Sequence, residues 1–322
     1  MNKAIKLKKI AQNYGIVICL VFLSVLLSIV TPNFLTYGNL ITILRQLSCI
    51  GIATLGMGCL IIMGGIDLSL GSVFALSGVS AGMVVSLNAT GLGMHPVVGY
   101  AVGIGIGAVI GFVNGFIIAK GKIPPFIVTM GTMSIGRGLA MIVAHGMPVG
   151  KFPDGFNYLG SATIDPWGKI PWLVVIFVIV AIVVGYILTK RPMGRYIYAI
   201  GSNTEAAKVA GINVDWVKIK AYLLEGVLVG LAGTLLASRL KSASPTVGEG
   251  YEMDAIAGCI VGGVSMAGGI GKVRDMLIGA MLIAVINNGM DLLSVEAFYK
   301  KLVKGSIIIL AVLIDRYRSG RD

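Results

Sequence analysis

A run of about 20 uncharged apolar residues has few places to go, because a helix of that length just crosses the hydrocarbon layer of a membrane. The stretch WLVVIFVIVAIVVGYIL at 172–188 is such a run and holds no charge. Comparable runs lie at about 14–30, 47–64, 68–87, 96–119, 124–144, 220–238 and 276–293, with two shorter ones at 254–267 and 302–314. Only 12% of the 322 residues are charged and the mean hydropathy is +0.92. A soluble domain carries about 25% charged residues, so this chain cannot cover a water-facing surface. The alternating pattern of a membrane β-barrel is absent. The expected fold class is all-α: one polytopic membrane domain over 1–322, with about ten spans and interrupted helices.

The net charge of +12 follows orientation. With ten spans and the N-terminus inside, one side of the membrane receives Lys3, Lys6, Lys8, Lys9, Lys120, Lys122, Lys190, Arg191, Arg195, Lys208, Lys218, Lys220, Lys272, Arg274, Arg316, Arg318 and Arg321. That is 17 of the 26 basic residues. The excess marks the cytoplasmic side, so both termini are expected there. The basic start and apolar run of the first segment lack an A-x-A-like cleavage site, so it reads as an uncleaved span. No basic stripe interleaved with aromatics points to nucleic acid. Cys19, Cys49, Cys59 and Cys259 sit in apolar runs without a C-x-x-C pair, as buried small hydrophobes do. His95 and His145 stand alone, and no metal set is expected.

Glycine placement separates two kinds of helix. Gly99, Gly103, Gly107, Gly111 and Gly115 recur every fourth residue and leave a smooth face for a neighbouring helix. Gly226, Gly230, Thr234 and Ser238 make a second ridge of the same kind. The clusters GGIDLSLGS (64–72) and GGVSMAGGIG (262–271) instead break apolar runs. Each is either a broken helix lining a translocation path or a tight turn at the membrane surface. Asp67 in the first break is either an intramembrane functional charge or a cap for the helix that follows. Ser72, Asn114, Asn287 and Asn288, with Ser77 and Thr129, are the polar groups on spans that a translocated solute could meet.

The most polar stretch, AIGSNTEAAKVAGINV at 199–214, reads as a helix of about two turns. Ser202 and Glu205 have capping-box spacing, with Asn203 and Thr204 as alternative caps. Glu205, Ala206, Ala207 and Lys208 favour helix, and Gly211 stops it. A helix so short is not stable alone in water, so the rest of the protein or a docked partner must hold it. No Walker motif accompanies it: Gly271-Lys272 is followed by Val273, and Met266 stands where the first glycine is required. No Ser/His/Asp or Cys/His arrangement suggests an enzyme.

This loop, GRYIYAIGSNTEAAKVAGINV, resembles the coupling loop of the membrane permeases of ribose/galactose/xylose-type sugar ABC importers. TPNFLTYGNL, GGIDLSLGS, PPFIVTMGTMSIGRG, GYEMDAIAGCIVGGVSMAGGIG, INNGMDLL and VKGSIIILAVLID agree in the same order, from about Thr31 to Asp315. The resemblance is greatest to the ribose type. It implies a non-catalytic permease of a bacterial cytoplasmic membrane that forms a dimer, with a second copy of the same chain as the expected partner. Its implied partners are a cytoplasmic ATP-binding subunit that holds ATP and magnesium, and a periplasmic or lipid-anchored sugar-binding protein. This chain itself is expected to bind no cofactor. Ser202–Gly211 becomes the coupling helix, within a coupling loop at 189–218. The outer loops 146–170 and 239–253, with Lys151, Asp154, Lys169, Lys241 and Glu249, are candidate docking sites for the binding protein. An ion-coupled transporter using Asp67 or Glu225, and an uncoupled channel or scaffold, are the competing readings. Glu225 and Arg274-Asp275 depart from the family pattern, and pairing of Glu225 with Arg274 would let the departures compensate.

Overall fold

The computed structural model describes residues 3–164 and 169–319. Arg321, positions 165–168 and the side chains of Lys3, Lys6, Lys8, Lys9, Arg316 and Arg318 lie outside the described residues. Ten helices answer the expected spans: α1 (Lys3–Val30), α2 (Tyr37–Ile62), α3 (Leu70–Val85), α4 (Pro96–Gly121), α5 (Pro125–Val143), α7 (Trp172–Lys190), α10 (Val214–Leu240), α11 (Tyr251–Gly262), α12 (Val273–Leu292) and α13 (Ala297–Ser319). Three shorter helices join them: α6 (Asp154–Ser161), α8 (Pro192–Ser202) and α9 (Thr204–Val209). A two-residue antiparallel pair, β1 (Thr163–Ile164) with β2 (Ile170–Pro171), completes the described elements.

Among the described residues six helices, α2, α4, α5, α7, α10 and α12, are long and apolar enough to cross a membrane. With the all-helical architecture, they make this a polytopic membrane protein. The 12 residues of α11 rise only about 18 Å at 1.5 Å per residue, well short of a full crossing. Helix α13 begins earlier than the apolar pattern suggested, because Lys300, Lys301 and Lys304 occupy its first turns without breaking it.

The innermost helices are α2, α3 and α10, whose side chains are buried along most of their length. Helices α4, α5 and α7 surround them and expose apolar residues such as Val109, Ile142 and Ile182 outward, as a lipid-facing surface requires. The two small-residue ridges face each other. Gly107 lies against Gly226 and Gly230, Gly103 against Thr234, and Gly111 and Gly115 against the Tyr222 and Ile219 backbone. All five glycines of the α4 ridge are buried.

The two ends of the bundle differ. At one end the α2–α3 and α11–α12 breaks meet, with Gly269 N–H donating to the Ile62 carbonyl at 2.8 Å. Lys120 at the end of α4 bridges to Asp215 at the start of α10 at 3.0 Å. At the other end, Val149 and Ala243 form a β-bridge. Helix α6, unforeseen in the sequence, tucks Phe156 fully inward there, and Ser238 Oγ links the Gly160 N–H to the Phe156 carbonyl at 2.9 and 2.7 Å.

The α4–α10 seam is the first place to test this packing. A Cβ at Gly107 would stand 2.8 Å from Gly230 Cα, so Gly107→Val is expected to cost about 1–3 kcal/mol by overpacking. A Cβ at Gly105 on the same helix meets nothing within 4 Å, so Gly105→Ala should be neutral or slightly stabilising. Thermal aggregation midpoints of the purified variants in detergent measure the contrast.

Candidate functional site: the α8–α9 loop and the buried acid beneath it

The loop between α7 and α10 carries two helices. Helix α8 is amphipathic and buries Gly194, Ile197 and Ile200. It ends at Ser202, so Ser202 does not cap the next helix. Asn203 does: its side-chain oxygen accepts from Ala206 N–H at 2.9 Å. The capping box is therefore replaced by the Asn203 alternative, because Ser202 is still part of α8. Thr204 Oγ1 donates back to the Ile200 carbonyl at 2.9 Å and fastens α9 to α8.

Helix α9 stops as the sequence suggests. Gly211 has φ +82°. Its N–H reaches the Lys208 carbonyl at 2.9 Å, and the Ile212 N–H reaches the Ala207 carbonyl at 3.0 Å. These are the two bonds of a Schellman motif. Asn213 then caps α10 through Trp216 N–H at 3.1 Å. One face of α9 is sunk: Ala207 is 4% exposed and belongs to the main core. The other face carries Glu205, Ala206, Lys208 and Val209, with Val209 91% exposed. Glu205 and Lys208 pair across one turn at 2.7 Å.

The support beneath the loop is the joined pair of glycine-rich breaks. Gly201 sits where any Cβ would collide with the Ile62 carbonyl. Gly268 and Gly269 lie against Gly201 and Ser202. Tyr198 Oη donates to the Gly271 carbonyl at 2.7 Å. Helix α8, to which α9 is fastened, is thus seated on the end of α2 and on the α11–α12 loop.

Directly behind the α2–α3 break is Asp67, 1% exposed. Its carboxylate accepts from Ser69 N–H and Ser69 Oγ, both at 2.6 Å, and from Asn114 Nδ2 at 3.2 Å. It therefore holds the first turn of α3, and at the same time lies inside the bundle. Glu225, 2% exposed, lies beside Asp67 with its Oε1 buried and without a hydrogen-bond partner, and its stem fills the space over Gly56. One turn earlier on α10, Tyr222 Oη donates to the Ile66 carbonyl at 3.0 Å. Asp67, Asn114, Tyr222 and Glu225 thereby tie the break to α4 and α10. The proposed Glu225–Arg274 pair does not form: Arg274 is an exposed side chain at the start of α12 and contacts its neighbour Asp275 at 3.4 Å. Glu225 lies beside Asp67 instead.

The remaining polar candidates divide. Asn288 makes a reciprocal amide pair with Asn39 at 2.8 and 2.9 Å, which joins α12 to α2. Asn287 donates to Asp254 at 3.1 Å, and Lys304 donates to the same carboxylate at 2.7 Å. This cluster lines a cavity of about 200 Å³ with Gln46, Arg239, Tyr251 and Asp291. Ser72 lines a larger cavity of about 760 Å³, with Arg137, Glu249, Glu252 and Lys301 around it. Ser72 Oγ is committed to the Ser69 carbonyl at 2.8 Å, and Thr129 Oγ1 to the Pro125 carbonyl at 2.9 Å. Sequence reasoning missed the Asp254–Lys304 and Glu249–Lys301 pairs, because their partners are about 50 residues apart. Lys301 beside Glu249 holds that exposed carboxyl below its ordinary range.

The Asp67 cluster yields a graded expectation. Glu225→Gln keeps the volume and supplies an amide donor to Asp67, so it should fold normally. Glu225→Ala leaves a void over Gly56, at a cost of about 2–4 kcal/mol. Yield of monodisperse protein and its melting midpoint in detergent give the order.

Comparisons with known proteins place this arrangement. The family described as "Branched-chain amino acid transport system / permease component" matches residues 39–312. The ribose import permease protein RbsC of Bacillus subtilis (strain 168) is 43% identical over 322 residues, covering 99% of this chain and 97% of the relative. RbsC of Escherichia coli (strain K12) is 42% identical over 299 residues, 92% of each chain. The L-arabinose transport system permease protein AraH of the same organism is 39% identical over 310 residues, 96% of this chain and 92% of its own. No solved structure matches. With the family spanning most of the chain and every one of its central helices, the protein belongs to this family of membrane-spanning permease components.

Proposed function

We propose that the chain is the permease subunit of an ATP-driven importer for a monosaccharide, ribose or a related simple sugar, in a bacterial cytoplasmic membrane. The observation that carries the reading is the conjunction of full-length similarity to ribose and arabinose permeases with a short, capped, outward-facing helix seated on the core. The basic residues of the same loop support a cytoplasmic position for this end of the bundle, and with it for both termini. A separate ATP-binding subunit hydrolyses ATP, a sugar-binding protein delivers the solute on the other side, and a second permease copy completes the channel.

In this reading the exposed face of α9 inserts into a groove on the ATP-binding subunit. Closure of that subunit displaces α9 as a unit, since the Asn203 cap and the Schellman end fix its length. The displacement reaches α7 through α8, and α10 through the turn at 211–213. It also reaches the α2–α3 and α11–α12 breaks, against which Gly201 is pressed. Those breaks are where backbone direction changes with the least disruption of helix hydrogen bonds. The two polar cavities at the other end, holding Asn287 and Ser72, are the candidate stations for a sugar. Asn114 and Asp67, both nearly inaccessible, act through the geometry of the break rather than by touching solute.

Two positions on α9 separate coupling from folding. Ala206 is exposed, so Ala206→Trp leaves the fold intact and blocks seating of the partner. Sugar uptake should fall more than about tenfold, the loss expected when a bulky group obstructs a central interface contact, at unchanged membrane abundance. Ala207 beside it is buried, so a bulky charged replacement there lowers abundance instead. Uptake by Ala206→Trp cells at the wild-type rate refutes the coupling role. Loss of uptake on inactivating the cognate ATPase, with survival through collapse of the proton gradient, separates this reading from ion-coupled transport.

A further inference from the structure

Beside the coupling loop, a groove of about 520 Å³ opens between α7, α8 and α10. Its floor is apolar, formed by Ile187 of α7 and Leu224 of α10. At its mouth stand Arg191 and Lys220, and neither has a carboxylate partner among the described residues. Trp216 and Tyr196 line the same groove and are 51% and 40% exposed. Arg191 lies over the Tyr186 ring at 5.2 Å.

Each feature has a physical reading. The groove continues onto the outward face of α7, where Ile182, Val183 and Tyr186 are exposed. On a membrane helix that face meets lipid tails. Trp and Tyr with one polar edge concentrate at the level of lipid headgroups. Two unpaired cations there, above an apolar floor, match a ligand with an anionic head and a long hydrocarbon tail. Basic pockets between helices on the cytoplasmic side bind acidic lipid headgroups in this way.

We propose that this groove is a binding site for one anionic phospholipid of the inner leaflet, its phosphate held by Arg191 and Lys220 and an acyl chain lying over Ile187 and Leu224. The proposal rests on the membrane topology given under Proposed function. Because the groove walls are the helices that flank α9, lipid occupancy fixes the spacing of α7 and α10 at the loop. The ATP-binding subunit is the competing occupant, since it approaches from the same side.

Trp216 is the reporter. The chain has three tryptophans, so a Trp167→Phe/Trp172→Phe background leaves Trp216 as the only indole. This protein, reconstituted with its ATP-binding subunit, is placed in vesicles of phosphatidylcholine containing either brominated phosphatidylglycerol or brominated phosphatidylcholine at equal fraction. Preferential quenching by the anionic bromolipid is the expected result. Arg191→Gln/Lys220→Gln should cut the preference by roughly tenfold to thirtyfold, as loss of two surface cations predicts, with the melting midpoint unchanged. Equal quenching by both bromolipids in the unsubstituted pair overturns the lipid site and leaves the topology standing. Quenching that appears only when the ATP-binding subunit is omitted also overturns it, in favour of the subunit as occupant. No quenching by either lipid, with or without that subunit, rejects the topology as well.

Discussion

The close contact between α4 and α10 is the interaction on which the rest of the bundle leans. In a bilayer the tails are as apolar as leucine, so helices gain little by hiding apolar side chains from one another. What they gain comes from dispersion between atoms brought near, and from weak backbone contacts that only small residues permit. Gly103, Gly107 and Gly111 on one helix and Gly226, Gly230 and Thr234 on the other bring the two backbones together along their whole shared length. Helix α3 then closes on both, with Gly78 against the Gly233 carbonyl and Gly233 against Phe74. With α10 fixed in this way, its N-terminal start, shortly after α9, has a defined position relative to the core.

That rigidity makes the two breaks informative. A helix interrupted inside a membrane frees backbone groups that have no water to bond. Here the Ile62 carbonyl takes the Gly269 N–H, the Ile66 carbonyl takes the Tyr222 hydroxyl, the Gly271 carbonyl takes the Tyr198 hydroxyl, and the Ser69 N–H takes Asp67. The three carbonyls are met from another element, so each break is also a junction, while Asp67 serves its own break. Asp67 holds the start of α3, as the capping alternative has it, and is buried among polar groups of α4 and α10.

Much of this was legible in the sequence, for reasons that differ by element. The long apolar runs specify their helices almost alone, since length and absence of charge decide the matter. The two small-residue ridges were visible as a four-residue period, although their mutual pairing is a long-range fact that periodicity does not carry. Gly211 announced the end of α9 because a left-handed residue there needs glycine. The start was ambiguous among Ser202, Asn203 and Thr204, since all three accept capping bonds well, and the presence of α8 decided it. That helix was not foreseen: PMGRYIYAIGS has too few apolar residues to resemble a span and no polar cap to mark it. Helix α6 escaped for the same reason. The pairing of Glu225 failed as an inference because charge complementarity suggested Arg274, whereas burial put Glu225 beside another acid and left Arg274 in solvent.

The distribution of exposure around α9 bears on how such a device divides its work. A helix of six residues has too few internal hydrogen bonds to persist unaided, so its shape is borrowed from the core through Ala207, Thr204 and Asn203. The residues that remain outside, Glu205, Ala206, Lys208 and Val209, contribute almost nothing to that support. The Glu205–Lys208 pair is largely solvated and is worth only about 0.3–0.5 kcal/mol. The outer face is therefore free to match a partner without cost to the fold, while the inner face keeps the contact registered to Gly201 and the breaks beneath it. A loop in which the same residues did both tasks would trade seating against stability with every substitution. In the proposed coupling role, separation of the two faces lets a small rigid element convey force between proteins that share no chain.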